Sequence, residues 1–312
     1  MTLAGLLQQI VIGLDKGTTY ALLGVGFALI IGVSGRFHIA YAVSFTLAAF
    51  VASWATTLWN LPFWPSLVLG ALAAALFGVL IEKFVYYPLS RIALRNGTNA
   101  LLMIFVASLG ISISGRNLIQ LVATARAAAS IGGFDNEPIN IGPYITLTTL
   151  QIASFITSWV LIGLLSIVLA RTTLGRMIRA VRANWEMSLC VGVSPQIIYL
   201  VVFAIGSAFG GVAAVFIATG TSAKPDMGLV PMFYALVVAF VAGLGTPPLT
   251  VGLIGLALGM VESLSALFLP TQWTSVVVFA ILLVYVAMRP VQLGDRIKKL
   301  LASSPKPGLA KG

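Results

Sequence analysis

Very few side chains in this 312-residue sequence could move a proton or attack a bond. His38 is the only histidine and Cys190 the only cysteine. General acid–base work therefore has one histidine to draw on, and no Cys/His cluster exists for zinc. No GxSxG elbow and no HExxH pair occurs. The string Asp15, Lys16, Gly17, Thr18, Thr19 has the residue types of a phosphate-binding loop, but such a loop ends in GK[ST]. Here Lys and Gly stand in the wrong order, and the string reads as the start of an apolar helix. These observations point away from enzymatic chemistry: no catalytic residue, metal or cofactor is expected in this chain.

What remains is recognition of charge by polar groups set inside apolar runs, where they are costly and face a cavity or a partner. Glu262 lies deep in one such run. It is read either as a hydrogen-bonded lock between helices or as a contact for a substrate ammonium. Arg36, His38, Tyr41 and Ser44 cluster between two runs. They form either a short turn at the membrane surface or a re-entrant break lining a cavity, where Arg36 would suit a carboxylate. Gly206 and Gly210, four apart, give a small face that lets helices approach closely or smooths a pathway. These seven residues are the candidate substrate pathway. Arg116 is placed to snorkel, and Glu82 is expected to pair with Arg91 or with the polar stretch after residue 170.

The elements that must carry these residues are membrane helices. Hydrophobic residues make up 59% and charged residues 8% of the chain, and mean hydropathy is +1.06, more apolar surface than a soluble core of this length can hide. Long unbroken runs select helices over barrel strands. Spans are expected at roughly 10–33, 38–58, 64–84, 99–122, 143–170, 196–219, 229–244, 250–268 and 272–288. The first stretch lacks a basic leader, so no cleavable signal is evident. Lys83, Arg91 and Arg95 fall in one connection, Arg171, Arg176, Arg179 and Arg182 in a second, and Arg289, Arg296, Lys298 and Lys299 in the tail. Alternating spans put all three on one side, so the net charge of +10 reports cytoplasmic loops rather than nucleic acid. The C-terminus is then cytoplasmic, and the N-terminus is outside if all nine segments cross. Residues 1–290 read as one transmembrane domain and 291–312 as a basic cytoplasmic tail that opens with an amphipathic helix.

Residues 171–193 are too polar to cross but patterned for one helix, with Thr172 or Thr173 at its start and Gly192 in a left-handed stop. Arg179, Ala180, Asn184, Glu186, Met187, Gly192 and Val193, preceded by Thr173, Leu174, Gly175 and Arg176, resemble the loop RAxAQNREMAxLxGI of LivH-type permeases. These are membrane subunits of branched-chain amino acid ABC importers. Collinear likenesses run from GTTYALLGVGFAL at Gly17 through EKFVYYPLSR at Glu82 to Arg289, Pro290, Gln292, Leu293 and Gly294. The chain departs from the family at His38 to Val43, where NFAHGE is usual, and at Ala242 to Leu249, where GGLGSxxGA is usual.

The resemblance implies an all-α polytopic protein of about eight or nine spanning or re-entrant helices in a bacterial inner membrane. It implies a coupling segment of Gly175, Arg176, Arg179, Arg182, Asn184, Glu186, Met187 and Gly192 that docks on an ATPase. It also implies a homologous second permease (LivM-like), two ATP-binding subunits (LivG/LivF-like) holding ATP and Mg, and a periplasmic substrate-binding protein. The cargo would be a branched-chain amino acid or a related small carboxylate or amide. An ion-coupled carrier or channel acting without an ATPase is the alternative reading.

Overall fold

The computed structural model describes residues 3–124, 131–132, 134, 136–141, 145–270 and 273–288. Arg126, Asp135 and the basic tail, with its expected amphipathic helix, lie outside the described residues. The chain is an all-α membrane protein. Its helices run α1 (Leu3–Ser34), α2 (Tyr41–Leu58), α3 (Phe63–Ile81), a π-helical turn (Glu82–Tyr86), α4 (Tyr87–Asn96) and α5 (Ala100–Thr124). After a hairpin of β1 (Pro138–Ile141) and β2 (Ile145–Thr148) come α6 (Thr149–Arg171), α7 (Thr173–Ala183), α8 (Trp185–Cys190) and α9 (Pro195–Thr221). The chain ends its described part with α10 (Leu229–Ala242), α11 (Pro248–Ser265) and α12 (Thr274–Met288).

Seven of these helices, counting α3 to α4 as one, are long and apolar enough to cross a bilayer, and α10 and α12 are shorter apolar helices. All nine expected segments are therefore helical, with three differences. Asp15 to Thr19 lie inside α1 rather than at its start. The stretch before Thr149 is a strand, because the β-branched run Ile145 to Thr148 pairs with β1, Pro138 facing Thr148. Thr148 then starts α6 through a capping box with Gln151. The third span does not stop near residue 84: the π turn carries it on to Asn96. At 1.5 Å per residue this 34-residue helix is about 51 Å long, so α4 runs past an about 30 Å hydrocarbon layer.

Helix α1 is the axis of the bundle, buried through most of its second half and packed against α11, α10, α9 and α6. The approach of α1 to α11 is close because glycines face each other: a Cβ on Gly259 would collide with the backbone of Gly17, and one on Gly255 would meet the Ala21 backbone at 2.6 Å. The outer faces are apolar. Val68, Leu72, Leu76 and Leu80 form an exposed stripe four residues apart on α3, and Ile152, Ile156, Val160, Leu164 and Ile167, three or four apart, form another on α6. Such stripes suit lipid, since hydrocarbon tails satisfy them as a soluble core would.

Two contacts settle which ends of the helices lie together. The Gln8 side chain bonds the backbone of Thr146, and Ser263 donates to the backbone of Gln9. The start of α1, the hairpin and the end of α11 share one end of the bundle. At the other end, Arg182 of α7 reaches Gly245 between α10 and α11.

Replacing Gly259 with alanine is expected to destabilise the purified chain by about 1–3 kcal/mol, since two helix backbones must part. A thermal melt in detergent reads this. Gly110→Ala, where a Cβ meets nothing within 4 Å, should leave the midpoint unchanged or raised.

Candidate functional site

At the basic end, α7 and α8 cross the mouth of the bundle. Thr172 caps α7 by accepting from Gly175 N at 3.3 Å. Gly175 leaves no room for a Cβ against the backbone of Leu169, which is why the α6–α7 turn can be so tight. The expected single helix is in fact two. Asn184 takes an extended backbone, φ −159 and ψ 110, and its side chain accepts from Glu186 N and Met187 N, each at 3.0 Å. A short polar side chain able to cap its own backbone breaks the helix and restarts it. Gly192 adopts φ 79, the left-handed value read from the sequence.

The arginines of this segment have distinct surroundings. Arg179 bonds the carbonyl of Leu169 near the C-terminus of α6, where a cation meets exposed carbonyls. Arg182 donates to the Gly245 carbonyl at 2.7 Å. Gly245 has φ 91 and sits so close to the Arg182 guanidinium that no Cβ would fit. Arg176 is exposed. Beneath α7 lies a cavity of about 250 Å³, walled by Ala28 and Gly32 of α1, Ser166 of α6, Ile178 of α7 and Val251 of α11. On the outward side, α8 exposes Trp185, Met187 and Leu189, and Val191 follows at 72% exposure, with Glu186 among them. Trp185 and Gly245 were missed by sequence reasoning. A lone tryptophan in an otherwise polar loop was the available signal for the first.

The second polar group forms where α1 breaks before α2. Arg36 is buried and pairs with Glu82, and its guanidinium lies 4.9 Å from the Tyr199 ring centre. Glu82 thus answers Arg36 instead of the expected Arg91, which stacks over Tyr87 at 4.9 Å. His38 is fully buried. Tyr86 O–H donates to Ser108 Oγ at 2.7 Å, leaving His38 Nδ1 to donate to the Tyr86 oxygen at 3.0 Å. Ser108 also accepts from Ala40 N at 2.9 Å, capping the start of α2. Glu82 and Tyr86 are the first and last residues of the π turn, and both are buried; four apart, they lie on the same side of the helix.

The other pathway candidates are packed among helices. Tyr41 lies against Gly210, where a Cβ would meet its hydroxyl at 2.6 Å. Gly206 abuts the Gly26 carbonyl and Ile30 of α1. Ser44 is buried and turns back to the Ala40 carbonyl at 3.4 Å. Glu262 stands apart from this cluster, at the hairpin end. Its carboxylate accepts from Lys16 Nζ at 3.2 Å and from Tyr20 O–H at 2.5 Å, tying α11 to α1. Tyr20 stacks on Tyr234 with ring centres 4.3 Å apart, so α10 joins the same tie. Among the described residues, no group of His, Cys, Asp and Glu could hold a metal.

The sequence matches the family model described as branched-chain amino acid transport system, permease component, over residues 9–287. It is 29% identical over 305 residues to the high-affinity branched-chain amino acid transport system permease protein BraD of Pseudomonas aeruginosa, covering 93% of this chain and 96% of BraD. Against LivH of Escherichia coli, a permease protein of the same description, identity is 28% over 306 residues, with coverage of 93% and 96%. A solved structure, PsaBC from Streptococcus pneumoniae in complex with Fab, shares 94% coverage each way at 13% identity and a TM-score of 0.47, a likeness too distant to argue from.

The Arg36 and Glu82 pair is open to a direct test. Glu82→Ala leaves a buried guanidinium without its counter-charge and is expected to cost about 3–5 kcal/mol, read as a lowered thermal midpoint. Arg36→Met combined with Glu82→Leu should recover most of that loss, and Lys83→Ala, on an exposed neighbour, should change little.

Proposed function

Because the chain belongs to the branched-chain amino acid transport system permease family, we propose that it is the membrane half of an ATP-driven importer. It pairs with a second, homologous permease, with two ATP-binding subunits on the side of α7 and α8, and with a substrate-binding protein on the hairpin side. The basic end is cytoplasmic on this reading, which follows the placement of Arg91, Arg95, Arg171 and Arg176. Its start at Leu3 is outside. ATP and Mg are held by the partners, and this chain performs no covalent chemistry.

The observation that carries the reading is the surface of α8. Trp185, Met187 and Leu189 are exposed around Glu186 at the end of the bundle, on a segment outside the helices long and apolar enough to cross a bilayer. An aromatic and a methionine beside a charge make a compact anchor for a protein groove. Closure of the ATPase pair would push this anchor. Arg182 passes the displacement to the turn between α10 and α11 through the Gly245 carbonyl, and the cavity under α7 gives the lever room to move. The cargo is a branched-chain amino acid or a related small carboxylate or amide.

Purification of the tagged chain from its native membrane is expected to bring down an ATPase subunit, and a Trp185→Ala, Met187→Ala double variant to lose it. Recovery of the chain without any nucleotide-hydrolysing partner, with transport intact, would refute the importer reading. Arg182→Ala is expected to keep the ATPase bound while lowering transport per ATP hydrolysed several-fold, measured in proteoliposomes. Unchanged coupling would remove the Arg182 contact from the mechanism.

A further inference from the structure

The hairpin end holds a second cavity, of about 310 Å³, between α1, the first turn of α6 and the last turns of α9. One wall is polar, with Asp15 and Thr19 from α1 and Gln151 and Ser154 from α6. The α9 side carries Phe216 and Ile217, with Gly220 and Thr221 beside them. Asp15 is the only charged side chain among its described lining residues.

Asp15 has little in the protein to hold it. The one described hydrogen bond to its carboxylate comes from Gln151 Nε2 at 3.4 Å, the long end of the range, while the Thr19 hydroxyl donates to its backbone carbonyl at 3.3 Å. The neighbouring Lys16 is about 100° further round the helix and is occupied by Glu262. Among the described residues no cation pairs with Asp15, whereas Glu82 and Glu262, the buried carboxylates of the spans, each have one. A carboxylate inside a spanning helix without a counter-charge is costly and marks a functional position. The cavity is too large for a bare ion in contact with one carboxylate, and Leu150, Phe216 and Ile217 in its lining would offer such an ion nothing.

We propose that this cavity is a recognition site for a primary ammonium group bearing a short apolar tail. The ammonium donates to the Asp15 carboxylate with help from the Thr19 hydroxyl, and the tail lies against Phe216 and Ile217. The site rests on the importer reading for its place, at the outer mouth where a binding protein would release cargo. It adds selection by the permease itself to whatever the binding protein selects.

The test uses the intact complex in proteoliposomes with Cys190→Ser, and with Ser154→Cys or, in parallel, Thr221→Cys as a reporter on the cavity wall. Modification at that position by a trimethylammonium and by a sulfonate methanethiosulfonate of equal tether is followed by mass spectrometry. The cationic reagent is expected to react about ten-fold or more faster, as a focused negative site would enrich it. Asp15→Asn should abolish the preference, and Glu137→Gln, on an exposed neighbouring acid, should preserve it. Protection of the wild-type cavity by 3-methylbutylamine but not by 4-methylpentanoate supports the assignment. Equal rates for the two reagents, an Asp15→Asn variant that behaves as wild type, protection by both tailed compounds alike, or protection by sodium ions without the amine would each overturn it. Whether an ATPase subunit stays bound is scored separately on the same samples, so failure of the cavity and failure of the importer reading are distinct outcomes.

Discussion

Hydrocarbon offers no partner to a charge or to a free backbone group, and the middle of this bundle is arranged around that fact. The chain must break between α1 and α2 to reverse direction, and the break frees backbone groups close to Arg36 and His38. Glu82 answers the arginine, and Ser108 takes the backbone N–H of Ala40 and the hydroxyl of Tyr86. Both partners come from helices that α2 packs beside, so the turn, the π-helical segment and α5 form one polar unit inside an apolar shell. Removing any one member leaves another without a partner, at a cost far above that of a surface contact.

The same constraint explains how the two ends differ. At the basic end polar groups can reach water, so Arg176, Glu186 and Asn184 are exposed and the helices there are short and amphipathic. Cations near carbonyls at helix ends, as with Arg179 and Leu169, stabilise the turn without being buried. At the hairpin end polar groups are drawn inward instead. Glu262, Lys16, Tyr20 and Tyr234 tie three helices together, and Asp15 is left facing a cavity.

Between them α1 is in contact with both. It packs on α11 through facing glycines, walls the cavity beneath α7 and contributes Asp15 and Lys16 at the far end. The close contact lies at Gly17, Ala21, Gly255 and Gly259, whereas next to the turn between α10 and α11 the same two helices border the cavity beneath α7.

Much of this was legible in the residue order. Hydrophobic runs located every span, since length and polarity alone decide what a bilayer accepts. Thr172 and Gly192 marked the limits of the polar segment between α6 and α9, because caps and left-handed stops are chosen by side chains a few residues away. The distribution of arginines and lysines separated the two ends. What the order could not decide was which distant side chains meet. Glu82 and Arg36 are 46 positions apart, and their pairing depends on how the third span is rotated against the break after α1. Arg182 meets Gly245 across 63 positions, and Asp15 and Lys16, adjacent in the chain, face opposite fates because α1 turns about 100° between them. Local patterns determine where helices begin, end and cross; the rotation of each helix against its neighbours is set only when the whole bundle packs, and that rotation decides which polar groups are partnered and which are left facing a cavity.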